Sequence, residues 1–151
     1  MQNRSINLLI IMNYRPAEYA QEFKDIFGKM GYFVDIEGLE EEYNGIAIMV
    51  SDDPEIVCDW QNGEITSLYF WFHPVYKRHY KSEEEVKYLI HIASLGVKKS
   101  DRGNKISSKF FDIIIKTFDD DIERIEMNDM NKSGIWQYIA SKYPHIEWRI
   151  N

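Results

Sequence analysis

The residues best equipped for chemistry crowd into one stretch, YFWFHPVYKRHY at positions 69–80. It holds six aromatic rings, two of the chain's four histidines and the adjacent cations Lys77 and Arg78. His73 and His79 are the natural pair to test as metal ligands. They stand six apart with a proline between them, and no cysteine or repeated carboxylate accompanies them at a spacing that closes a tetrahedral site. Three acidic groups offer a second possibility: Glu40 to Glu42, Asp52/Asp53/Glu55, and Asp119 to Asp121 with Glu123. Magnesium-dependent nucleases combine such carboxylates with a lysine to hold a metal and activate water. Glu85-Val86-Lys87 has the E-x-K spelling of that chemistry, but the pattern around it opens a helix in which Glu85 serves as a cap, whereas the nuclease motif lies on a strand. The expectation is no metal, no cofactor and no enzymatic activity.

Other reaction signatures are missing from the sequence. The first strand-to-helix connection, NYRP, has neither G-x-G-x-x-G nor a P-loop, and there is no G-x-S-x-G. Cys58, the single cysteine, has no catalytic motif beside it and no partner for an internal disulfide, so nothing indicates an oxidising compartment. The basic loop Lys98, Lys99, Arg102, Lys105 contains no aromatic residue to stack on a base, and the chain as a whole carries a net charge of −7. Such a field repels phosphate backbones, so nucleic acid is not an expected partner. No apolar run approaches the roughly 18 residues that span a bilayer. The N-terminal LLIIM is too short for a signal peptide and reads as a buried strand, which places the protein in the cytoplasm and off the membrane.

The elements that must position these residues run without linker or repeat, as one domain over 1–151. SINLLIIM (5–12) reads as a strand. Pro16 then sits at a helix start, and Ala17, Ala20, Phe23, Phe27 and Met30 share one helical face ending near Gly31. YFVDIE and GIAIMVSDD read as strands. EIVCDW, the turn Asn62-Gly63 and EITSLYFWFH read as a hairpin. In its second strand Leu68, Phe70 and Phe72 face the core. Tyr69, Trp71 and His73 face the other way, either beneath a covering helix or as a recognition face. Pro74 is expected to end regular pairing. Ser82 and Glu85 form a capping box for a helix burying Val86, Leu89, Ile90 and Ala93, closed by Gly96, with His91 on the solvent side. A further helix starts near Ser107 or Ser108 and buries Phe110, Ile114 and Phe118. IERIEM reads as a strand, NKSGIWQYIASKYP as a helix ended by Pro144, and HIEWRI as a last strand. The expected fold is α+β, helices packed on a largely antiparallel sheet.

Charge separates along the chain. Residues 1–60 hold 4 Lys/Arg against 12 Asp/Glu, whereas residues 61–151 hold 14 against 13. In size, acidity and lack of catalytic motifs, the chain resembles immunity proteins of bacterial polymorphic toxins, including those of contact-dependent growth inhibition. The resemblance implies a protein-binding inhibitor whose partner is the cognate toxin C-terminal domain, often a basic nuclease. Carboxylates would steer that basic surface and buried aromatics would hold it. The expected partner-binding residues are Glu40, Glu41, Glu42, Asp52, Asp53, Glu55 and Asp59 for steering, with Tyr43 and Trp60 as anchors. The alternative is a small enzyme or ligand-binding domain with a pocket walled by Trp71, His73, Tyr76 and His79.

Overall fold

The computed structural model describes residues 15–39, 44–56, 58–59, 62–75, 86–128 and 135–151. The first described element is a helix, α1 (Arg15–Lys29), with Pro16 in its first turn, where a missing N–H costs nothing. Tyr19, Ala20, Phe23 and Phe27 recur at helical spacing and are buried. Gly31, at φ +94°, turns the chain out of the helix. Tyr32 N–H then donates to Phe27 O at 3.1 Å and Gly31 N–H to Gly28 O at 3.0 Å, the paired bonds of a Schellman cap. Met30, placed on the buried face by its spacing, lies beyond the last turn and is 41% exposed.

Four antiparallel strands follow as a meander: β1 (Phe33–Gly38), β2 (Ile46–Ser51), β3 (Ser67–Val75) and β4 (Lys87–Gly96). A helix, α2 (Ile106–Phe118), then crosses back to β5 (Ile122–Met127), which pairs parallel with β4. A short helix, α3 (Ile135–Ser141), leads to β6 (Trp148–Ile150), parallel to β5. Helical crossovers of this kind are what parallel neighbours require. The six described strands lie in sequence order in one mostly antiparallel sheet, so the fold is α+β as expected.

One face of the sheet carries the core. Ile48, Val50, Leu68, Phe70, Phe72, Ile90 and Ile125 pack there with Phe23, Phe27, Phe110, Phe111, Ile114 and Phe118 from α1 and α2, and Ile139 of α3 closes the far side. Rings meet mainly edge to face, as in Phe23 on Phe70 (5.1 Å, 81°) and Phe72 on Phe118 (5.0 Å, 72°). Among the described residues no helix is long and apolar enough to cross a membrane.

Three expectations need correction. Lys87–Gly96 is a strand, not a helix. Tyr88, Ile90 and Ile92 alternate into the core, while Leu89 is buried on the other face. A strand buried on both sides supplies apolar residues at helical spacing by accident. The capping-box residues Ser82 and Glu85 lie outside the described residues, as do the 5–12 segment, Tyr76 and His79. Second, among the described residues no strand leads into Asn62-Gly63 to make the expected hairpin. Cys58 and Asp59 belong to no strand, and residues 52–66 form the connection between β2 and β3, which pair with each other. Ile56 takes φ +57°, which breaks extended geometry, and Asp59 N–H donates to Ser67 Oγ rather than into a ladder. Third, Pro74 does not end pairing, because it faces Tyr88 of β4. Pairing with β2 stops at Phe72, so among the described residues no strand pairs with Pro74 on its other side, where proline has no N–H to give.

Candidate functional site

The acidic connection between β2 and β3 is built around a polar latch. Thr66 is fully buried; its hydroxyl donates to Asp101 Oδ2 at 2.9 Å and accepts from Lys98 N–H at 3.1 Å. Lys98 Nζ reaches Asp52 Oδ2 at 3.1 Å and Asp101 Oδ2 at 3.9 Å, and these carboxylates raise its pKa. Asp52 N–H donates to Thr66 O, and Lys99 N–H to Gly63 O. Both ends of the connection are therefore tied to the segment after β4. At the tip, Asp53 Oδ1 accepts from Glu55 N–H at 2.8 Å and Asp53 N–H donates to Ser51 Oγ at 3.1 Å, which closes a local turn.

This geometry sorts the expected steering residues. Asp52 is already neutralised by Lys98. Asp59 accepts from Asn62 Nδ2 at 2.7 Å. Asp53 is half-buried and Glu55 exposed, and neither has an ion-pair partner among the described residues. Glu40, Glu41, Glu42, Tyr43 and Trp60 lie outside the described residues. Leu39 and Gly45, which flank 40–43 and are joined by Leu39 N–H to Gly45 O at 2.9 Å, stand at the opposite end of β2 from Asp52. Six residues of strand, about 20 Å, thus separate the two acidic connections.

The outer sheet face, opposite the helices, contains a row that crosses all six strands: Glu37, Ala47, Trp71, His91, Glu126 and Arg149 in successive register. The Trp71 and His91 rings stack at 4.3 Å and 13°, and Tyr69 meets Trp71 edge-on at 5.9 Å. His91 Nδ1 lies 3.9 Å from Glu126 Oε2. Arg124 Nε donates to Glu126 Oε1 at 2.6 Å, and Arg149 approaches the same oxygen at 3.8 Å and Glu147 at 4.0 Å. Burial lowers the His91 pKa, opposed by Glu126. His91 is thus a partly covered strand residue with partners, not the solvated helical one expected.

Sequence reasoning missed this row because it depends on β4 being a strand and on parallel pairing, which brings together residues 35 apart. The alternation Tyr88, Ile90, Ile92 was the available signal. Of the expected pocket wall, Trp71 and His73 share the outer face, with His73 Nδ1 3.0 Å from Pro74 O, and Tyr76 and His79 lie outside the described residues. Lys87 does lie on a strand, which corrects the objection to the E-x-K reading. It faces Val75, however, whereas Ser51, next to Asp52, faces Ser67. Eight residues of β3, nearly 30 Å at about 3.4 Å per residue, separate them. Among the described residues no group of three His, Cys, Asp or Glu is placed to hold a metal.

A third cluster lies under the helix layer. Tyr19 Oη donates to Asp121 Oδ2 at 2.6 Å, and Arg15 Nη2 reaches the same oxygen at 2.8 Å. Burial, then the bond to Asp121, pushes the Tyr19 phenol far above its usual value. This accounts for one of the aspartates that follow α2: Asp121 is held by a cation and a hydroxyl from α1. Comparison with protein-family models, curated proteins and solved structures finds no match for this chain.

Proposed function

We propose that the protein is an inhibitor that acts by binding another protein, a basic toxin domain produced alongside it. One observation carries this reading: the β2–β3 connection presents Asp53 and Glu55 from a frame fixed from behind by Thr66, Lys98 and Asp101. Carboxylates held this way accelerate encounter with a basic surface, and a loop ordered before binding loses little entropy on contact. The clusters built around Asp52, Asp121 and Glu126 are internally compensated, which suits scaffolding rather than turnover.

The test is co-expression. The C-terminal domain encoded by the adjacent upstream reading frame is expressed with and without this protein, and growth is followed. Killing by the domain alone and rescue by this protein is the expected result. A harmless domain, or killing that persists, overturns the reading. Once rescue is seen, changing Glu41, Glu42 and Asp53 to lysine is expected to slow association roughly tenfold or more at low salt and to flatten its salt dependence.

A further inference from the structure

The outer face of β1 to β3 carries uncompensated charge beside partly exposed rings. On β1, Val34 and Ile36 turn toward the core, so Phe33, Asp35 and Glu37 stand on the outer face. All three are exposed, Phe33 at 45%. Asp35 faces Met49, which faces Tyr69; Glu37 faces Ala47, which faces Trp71. Two carboxylates thus border a partly exposed patch of Met49, Tyr69 and Trp71. Neither Asp35 nor Glu37 has an ion-pair partner among the described residues, and β1, β2 and β3 contain no lysine or arginine. At the other side of the same face Arg124 and Arg149 are already engaged by Glu126 and Glu147. Along β1 to β3 the unbalanced charge of the face is therefore negative; Lys87, the cation of this face without an ion-pair partner among the described residues, lies at the Val75 end of β4.

The face is also continuous with both acidic connections. Phe33 is in register with Ser51, next to Asp52 and Asp53, and Gly38 is in register with Ile46, next to the connection that contains residues 40–43. A surface about 20 Å long joins them along β1 and β2.

We infer that the outer face of β1 to β3, centred on Tyr69 and Trp71 and bordered by Asp35 and Glu37, is the surface on which a basic protein docks. This rests on the inhibitor reading and assigns its contact surface. Partner lysines or arginines pair with Asp35 and Glu37, and an arginine plane lies against the indole of Trp71, where ring and carboxylates both attract it. Aromatic centres with a charged rim are the usual anatomy of an energetic contact.

The experiment compares four purified proteins: wild type, Asp35→Lys/Glu37→Lys, Trp71→Ala, and a control, Glu22→Lys/Asp25→Lys. The control changes net charge equally on exposed positions of α1, on the helical side of the sheet. Circular dichroism and melting establish that each is folded, and Trp71→Phe replaces Trp71→Ala should the latter unfold. The probe is the upstream-encoded C-terminal domain if wild type rescues growth from it, and octaarginine if it does not. Trp71→Ala is expected to raise Kd about tenfold or more. The β1 charge reversal is expected to slow association and flatten its salt dependence, and the control to stay within about twofold of wild type. Wild-type binding by the β1 and Trp71 variants overturns the inference, even where rescue holds. Equal loss in the control overturns it as well, because the attraction is then non-specific. Light scattering that shows a wild-type dimer dissolved by Trp71→Ala assigns the face to a second copy and also overturns it. Failure of rescue alone removes the inhibitor reading and leaves the octaarginine comparison to decide the surface.

Discussion

The indole of Trp71 and the imidazole of His91 lie face to face across β3 and β4, 4.3 Å apart at 13°. The pair sits at the middle of a row that runs from Glu37 on β1 to Arg149 on β6. Its acidic end is uncompensated and its basic end is balanced. The stack separates the two and covers the imidazole, which is why His91 resists charging despite Glu126 at 3.9 Å.

A pH dependence follows from that relationship. Burial holds the His91 pKa below its unfolded value of about 6.5, so the unfolded chain binds a proton that the folded chain refuses. This contribution to stability is complete above the unfolded pKa and is lost as pH falls through it toward the folded value. Urea midpoints are expected to decline from pH 7.5 to pH 5. His91→Phe keeps a ring on Trp71 and is expected to make the decline shallower. An identical decline in the variant would show that other groups carry it.

The latch behind the acidic connection makes a separate prediction. Thr66→Val keeps the shape of a fully buried residue but leaves Lys98 N–H without its acceptor and Asp101 with only Lys98 Nζ at 3.9 Å. Loss of about 1–3 kcal/mol is expected in chemical denaturation, the usual cost of a stranded buried polar group. Amide exchange at Asp52 and Lys98 is expected to accelerate along with it. A loss within error of zero would mean that water replaces the hydroxyl.

Much of the helix layer was legible in the sequence because Phe23/Phe27 and Phe110/Ile114/Phe118 repeat at a period only a helix can bury. The alternation Leu68, Phe70, Phe72 announced β3 in the same way. Lys87–Gly96 was not legible as a strand, since burial on both faces erases the contrast between periods of two and of three to four. That one error hid the parallel half of the sheet, and with it the neighbours of His91. Asp35 and Glu37 drew no reading beyond their place in the strand YFVDIE. Their relation to Tyr69 and Trp71 exists only once β1, β2 and β3 are placed in register.

The tie between α1 and the start of β5 is expected to contribute more than its single bond suggests. Tyr19 is 7% exposed, and its hydroxyl donates to Asp121, which also holds Arg15. Tyr19→Phe removes one bond to a charged acceptor, worth about 1.5–3 kcal/mol, and is expected to lower stability by an amount in that range. Because folding raises the phenol's pKa, the wild type is expected to lose stability as pH climbs past about 10, the unfolded value. Tyr19→Phe is expected to lose less there. Equal alkaline loss in both proteins would assign the effect to other groups.

Gly45 gives the sharpest steric prediction. A Cβ at this position would run into the Phe72 carbonyl oxygen and lie 2.7 Å from His73 Cβ and 2.8 Å from Leu39 Cδ1. Phe72 O belongs to the backbone of β3 and cannot rotate aside, so Gly45→Ala must displace β2 from β3 or distort the start of β2. A loss of about 1–3 kcal/mol is expected, as for other overpacked sites. Gly38 is the matched control, because nothing lies within 4 Å of its Cβ position, and Gly38→Ala is expected to change stability by less than about 0.5 kcal/mol. Leu39 and Gly45 also flank residues 40–43, so the displacement reaches the connection that carries Glu40 to Glu42. If that connection takes part in binding, Gly45→Ala weakens partner capture at temperatures where the protein is still folded, while Gly38→Ala leaves it intact. Equal capture by both variants would remove residues 40–43 from the contact and leave the β2–β3 connection and the outer face to account for it.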